Sequence, residues 1–286
     1  MKEYYSLTKP GVLYGNALTA LAGFLLASAH EGFFSWELFF GLNIGMTLVI
    51  ASACVINNVL DQDIDQKMER TKKRALIRGT VPGRNAAWFG TVLGVLGVGI
   101  LYLFTNLPAT VVAILGFIVY VWLYGMLGKR LSMHGTLVGS ISGAMPILAG
   151  YMAVSGALDL GAVIVFFALF LWQQPEFYSI AIYRREEYRT AGIPVMPVVV
   201  GVKNTIIQIF CYAVAFVIVS LLLTVFGYTG YTYFVVMGLL GLYFIWLGFK
   251  GFQEKDSDAW ARKMFHFSLV MILVFSVMLS IGGVLP

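Results

Sequence analysis

Apolar runs of about twenty residues, separated by short polar stretches, fill most of this chain. A helix rising 1.5 Å per residue needs about 20 such residues to cross roughly 30 Å of hydrocarbon. Nine segments meet that requirement, approximately 11–29, 36–58, 86–105, 108–127, 136–157, 160–183, 204–226, 229–249 and 265–285. A membrane β-barrel would show ten-residue alternating strands instead, and that pattern is absent. The expectation is an all-α integral membrane protein with about nine transmembrane helices.

The polar stretches carry a sign. Lys2 and Lys9 precede the first predicted helix, and seven bases from Lys67 to Arg84 lie between the second and third. Lys129 and Arg130 follow the fourth, Arg184, Arg185, Arg189 and Lys203 the sixth, and Lys250, Lys255, Arg262 and Lys263 the eighth. These are all 19 Lys and Arg residues, and the alternate loops have none. Cytoplasmic loops concentrate Lys and Arg, so the N-terminus is expected in the cytoplasm and the C-terminus outside. Helices two and six both run into long loops rich in acids and bases, and four and eight both exit into basic ones. That spacing suggests one membrane domain over 1–286, built from two four-helix halves (about 1–130 and 131–263) plus a ninth helix.

Composition agrees. The chain is 59% hydrophobic and 12% charged, against about 25% charged in soluble domains. Its +5 net charge is scattered between apolar spans rather than gathered on a polar domain, which argues against a nucleic-acid partner. Cys54 and Cys211 sit inside apolar runs, so neither a disulfide framework nor a cysteine metal site is expected. The N-terminus shows neither a cleavable signal nor a transit pattern, and the first span is expected to be retained.

The candidate chemistry sits at two helix exits. Asn57, Asp61 and Asp65 stand four residues apart, which on a continuing helix aligns them within about 40° and roughly 6 Å steps. Asp63 points to the other side. Two carboxylates one turn apart repel, whereas a bound divalent cation turns them into ligands, as for Mg²⁺ held by one or two carboxylates and phosphate oxygens. A solvated helix end neutralised by Lys67 and Arg70 is the plain alternative. The second exit reads Trp172-Gln173-Gln174-Pro175-Glu176, then Arg184-Arg185-Glu186-Glu187. A carboxylate inside a span is costly and points to function, although a glutamate hydrogen-bonded between helices would also account for Glu176. Arg70, Arg74, Lys129 and Arg130 lie nearby in the pattern, and arginine matches phosphate oxygens bidentately. Acids and bases together outline a cation-bridged diphosphate site at the membrane surface.

The run Asn57 to Asp65, continued by Lys67-Met68-Glu69-Arg70-Thr71-Lys72-Lys73-Arg74, resembles the first aspartate-rich motif of the UbiA-type intramembrane prenyltransferases. Leu7-Thr8-Lys9-Pro10-Gly11, Gly135-Thr136-Leu137-Val138-Gly139-Ser140, Leu171-Trp172-Gln173, Ala191-Gly192-Ile193-Pro194-Val195-Met196-Pro197 and Trp260-Ala261-Arg262-Lys263 resemble the protohaem IX farnesyltransferase branch. The resemblance implies nine helices around a central cavity in a prokaryotic cytoplasmic membrane, with the active site on the cytoplasmic side. It implies farnesyl transfer from farnesyl diphosphate to a vinyl group of haem B, giving haem O. Mg²⁺ would be held by Asn57, Asp61, Asp65, Glu176 and Glu187, and diphosphate by Lys9, Asn58, Arg70, Arg74, Lys129 and Arg130. Trp172, Gln173 and Tyr178 would face the acceptor. Membrane lipid and haem-handling or terminal-oxidase assembly proteins are the implied surroundings. Glu176 departs from the branch, which carries His after Gln-x-Pro; prenylation of an aromatic quinone precursor is therefore the nearer alternative. A secondary transporter is the distant one, since transporters place coupling charges near the midplane and nearly every charge here lies at one end.

Overall fold

The computed structural model describes Met1–Pro286. Nine helices are long and apolar enough to cross a membrane: α1 (Pro10–Glu31), α2 (Trp36–Leu60), α3 (Gly83–Phe104), α4 (Leu107–Leu131), α5 (Gly135–Ser155), α6 (Leu160–Tyr183), α7 (Val202–Val225), α8 (Tyr231–Lys250) and α9 (Ser257–Gly282). There are no strands. Short helices occupy the basic-loop side, at Lys2–Leu7, Gln62–Asp65, Arg185–Ala191 and Met196–Val199.

Side chains stop several spans where hydropathy alone is vague. Ser35 and Asp159 cap α2 and α6 by accepting from Leu38 and Ala162 backbone N–H groups. Asn106 caps α4 through Oδ1 and donates through Nδ2 to Met152 and Ala153 carbonyls, tying that end of α4 to α5. Such caps satisfy backbone donors that a membrane would otherwise leave bare. The start of α9 corrects the expectation of 265. Asp256 caps it at Ser257 through the Asp258 and Ala259 N–H groups, and its first turns carry Asp258, Arg262 and Lys263. A charged opening is helical but not apolar, so it lies outside a hydropathy window.

Lipid supplies no hydrophobic drive between helices, so association depends on close approach at small residues. At Gly150 of α5, an added methyl would collide with the Ala20 carbonyl of α1; at Gly23 it would meet the Ile147 carbonyl. Gly97 of α3 lies against Gly45 and Val49 of α2 in the same way, 2.8 Å from a built Cβ to Gly45 O. Helix pairs recur at an offset of four: α1 on α2 and α5 on α6, α2 on α3 and α6 on α7, α4 on α5 and α8 on α9. One large apolar core runs through all nine helices, with smaller clusters under the Lys2–Leu7 helix and around Ile64 and Met68.

Candidate active site

The end of α2 sets the site. The helix stops at Leu60 and resumes at Gln62–Asp65, with Asp61 at the joint. The Asp61 N–H still donates to Asn57 O (2.9 Å) and the Asp65 N–H to Asp61 O (2.8 Å). The four-residue register therefore survives the break, and Asn57, Asp61 and Asp65 line one cavity of about 510 Å³. All three are buried, at 2–3% exposure. A carboxylate so placed needs compensation. Asp61 Oδ2 accepts from Lys129 Nζ at 2.7 Å, and Asp65 is paired with Arg74. Thr71 holds the backbone of the turn by donating to Asp65 O at 2.9 Å.

Lys9 enters from the other side. It is the only non-glycine residue in the left-handed region, φ 51°, a conformation costing about 1–2 kcal/mol. Its Nζ donates to Asn57 Oδ1 at 2.6 Å. Burial, together with the Arg74 and Lys129 charges, pulls the Lys9 ammonium down to about 8 despite the opposing pull of Asp61. Arg70, Arg74, Lys129 and Arg184 complete the cationic lining of this cavity. Two buried polar atoms of the cluster have no hydrogen-bond partner: Asp61 Oδ1 and Asn57 Nδ2.

The end of α4 is a π-helix, Val119–Gly128. Such turns cluster at functional sites. This one places Tyr120 and Tyr124 in the cavity wall and delivers Lys129 to Asp61. Gly125 keeps this approach close: a Cβ there would lie 3.1 Å from Asn57 Nδ2.

A second cavity of about 440 Å³ continues inward between α1, α2, α4, α5, α6 and α9. Its lining is largely apolar, with Met46, Val49, Ile50, Phe117, Leu269 and Ile272 in its walls. Val12, Tyr120, Gly139, Phe177, Ile180 and Phe265 line both cavities. A charged chamber thus opens through a partly aromatic neck into an apolar one.

Not every expected residue joins the cluster. No three acidic, histidine or cysteine side chains converge on one point. Glu176, expected beside the aspartates, lines the apolar cavity instead. Pro175, within α6, precedes it. Glu187, on the short helix Arg185–Ala191, lines neither cavity and pairs with Arg184 at 3.3 Å. Asn58 donates to Leu7 O at 2.8 Å and so clamps the N-terminal helix rather than facing an anion. Arg130 is drawn off by Asp63 in a two-pronged contact, 2.6 and 2.8 Å, and by Leu60 O. That contact holds the Asp63 carboxyl down to about 2.

Among the acceptor candidates, Trp172 and Gln173 do line the apolar cavity. Trp172 Nε1 donates to Ser268 O at 2.8 Å, and Gln173 Nε2 to Ser140 O and Leu169 O. Tyr178 is turned away, buried beside Tyr212 of α7. From the sequence, Tyr120, Tyr124, Phe177 and Phe265 have no assigned role, and Arg184 and Tyr188 stand at the second exit with no contact assigned to either. Only the four-residue spacing of Tyr120 and Tyr124, beside a basic helix end, was a usable sign.

Residues 16–270 match the UbiA prenyltransferase family. Protoheme IX farnesyltransferase of Chromohalobacter salexigens is 47% identical over 281 residues, spanning 98% of this chain and 95% of its own. That of Pseudomonas syringae pv. syringae is 45% identical over the same shares. Among solved structures, a digeranylgeranylglyceryl phosphate synthase superposes at TM-score 0.82 with 21% identity, covering 99% of this chain and 98% of the other. A UbiA homolog from Archaeoglobus fulgidus bound to DMAPP and Mg2+ superposes at 0.71 with 13% identity, over 97% and 99%. The chain is a multi-pass membrane protein of the UbiA prenyltransferase family, within the group whose members are named protoheme IX farnesyltransferase.

Proposed function

We propose that this protein transfers a farnesyl group from farnesyl diphosphate to a vinyl group of haem B, giving haem O. The observation that carries the reading is the pair of joined cavities, one lined by five bases beside buried carboxylates and the other apolar. An amphiphile with a charged diphosphate head and a long isoprenoid tail fits both at once. The near-full-length identity to protoheme IX farnesyltransferases supports haem B as acceptor.

Asn57, Asp61 and Asp65 would hold a divalent cation; the orphaned Asp61 Oδ1 and the all-oxygen donor set fit Mg²⁺. When bound, that ion neutralises charge on the diphosphate. Lys9, Arg70, Arg74 and Lys129 stabilise the leaving diphosphate as negative charge develops on it, and preorganised cations act strongly where water is scarce. The reacting prenyl carbon then sits at the neck, where Tyr120, Phe177 and Phe265 present aromatic faces that stabilise an allylic cation. The apolar walls exclude water that would otherwise capture the cation early.

The one-sided distribution of Lys and Arg supports the charged chamber on the cytoplasmic side, and the bacterial relatives support a prokaryotic inner membrane. The four-helix offset in packing supports two four-helix halves plus a ninth helix. Purified protein in detergent, given farnesyl diphosphate, Mg²⁺ and haem B, is expected to yield haem O by mass spectrometry, and none with EDTA. Prenylation of a hydroxybenzoate or naphthoate but not of haem would overturn the choice of acceptor.

A further inference from the structure

Glu176 is the only charged side chain lining the apolar cavity. No protein group hydrogen-bonds or ion-pairs with it, and it is half-buried. A carboxyl left alone in such a place is costly unless something that visits the cavity uses it. Its neighbour along α6, Phe177, is part of the neck shared with the charged chamber. The diphosphate occupies that chamber, so the prenyl carbon it leaves must react at the neck. The acceptor carbon that bonds to it must arrive from the apolar side, where Glu176 stands.

The chemistry at that point generates a proton. The C–O bond to diphosphate breaks, and the outer vinyl carbon of the acceptor supplies two electrons to the new C–C bond. The inner vinyl carbon is left as a carbocation. Water adds its lone pair there, and the resulting oxonium must lose one proton to become the hydroxyl. The other titratable groups on this cavity, the Cys54 thiol and Tyr120 phenol, are poor acceptors when neutral. Lys9 lies in the charged chamber, committed to Asn57. Gln173, one helical turn before Glu176, uses its Nε2 on two backbone carbonyls, and its Oε1 lies against Gly143. Residues three apart share a helix face, and Gln173 and Glu176 line the same cavity.

We propose that Glu176 is the catalytic base of the acceptor half-reaction, taking the proton released when water captures the carbocation on the acceptor. The proposal rests on the haem-directed reading above. General bases contribute about 10²–10⁴-fold. The E176Q variant is expected to form haem O at least about 100-fold more slowly, while its affinity for farnesyl diphosphate with Mg²⁺, measured by calorimetry, stays within about twofold of the parent. E176D is expected to retain more activity than E176Q, and formate is expected to restore haem O formation in E176A.

E176Q with parental activity would overturn the proposal and leave the leaving diphosphate as proton acceptor. So would loss of farnesyl diphosphate affinity in E176Q, which would move Glu176 to the diphosphate and cation site. Failure of both E176D and formate to recover activity would overturn it as well, reducing Glu176 to a packing role. A parent protein that binds farnesyl diphosphate but makes no haem O would take down the haem reading itself; that arm is read before any variant.

Discussion

Asp61 is the residue on which the charged chamber turns, and replacing it separates binding chemistry from folding. In D61N the side chain keeps its volume and one oxygen but loses its charge. The carboxylate stands 2.7 Å from Lys129 Nζ and 3.9 Å from Arg130. With an effective dielectric of about 20, the closer pair attracts by about 6 kcal/mol before desolvation is counted. Breaking one partner of a buried pair costs about 3–5 kcal/mol. Lys129 keeps 18% side-chain exposure toward the cavity, and Arg130 already has Asp63, so about 1–3 kcal/mol is the stability loss expected here. A nine-helix core tolerates that, and D61N should insert and unfold cooperatively a few degrees below the parent. Catalysis should suffer far more, because the orphaned Asp61 Oδ1 is the donor available to a cation. Haem O formation should fall by about 10²–10³-fold, the range seen for losing a major electrostatic stabiliser. Thermal unfolding in detergent and a mass-spectrometric turnover assay on the same preparation measure both. Full activity in D61N, or activity lost only in proportion to unfolded protein, would refute the role given to Asp61.

Three further outcomes follow from the geometry. Lys9 is charged below about 8 and neutral above it, so affinity for farnesyl diphosphate should decline as pH rises through 8; in K9R it should stay flat to about pH 10, as read by calorimetry. Replacing Gly150 with alanine drives a methyl into the Ala20 carbonyl; overpacking should cost about 1–3 kcal/mol, visible as a lower unfolding temperature with turnover per folded molecule unchanged if α1 shifts as a unit. At Gly143 a methyl would strike the Gln173 amide, so G143A should lower kcat for haem O formation while leaving farnesyl diphosphate affinity near that of the parent.

The spans were readable because lipid imposes length and composition on every helix that crosses it, and the alternating basic loops fell out of the same count. Asn57, Asp61 and Asp65 were readable because four-residue spacing has one geometric meaning on a helix, and that register outlasts the break at Asp61. Facing was harder. Glu176 and Glu187 lie eleven positions apart, and no periodicity says that α6 turns Glu176 toward a different chamber while Glu187 lines neither. Asn58 sits beside Asn57 in the motif yet points about 100° around the axis, where the Leu7 carbonyl claims it. Tyr178 likewise faces α7. The neck aromatics come from α4, α6 and α9, and only folding brings them together.

The π-helical stretch Val119–Gly128 acts as a phase setter for everything after it. Each of its turns holds more than the 3.6 residues of an ordinary helix, so Lys129 reaches Asp61 by an accumulated angular offset rather than by side-chain length alone. Removing one residue from this stretch with its winding kept would swing Lys129 by roughly a quarter turn, although no residue of the chamber had been changed. Homologues with insertions or deletions here would therefore need to re-aim their lysine, whereas point substitutions on the lipid-facing side are neutral to the aim. Length, more than identity, is what this segment transmits.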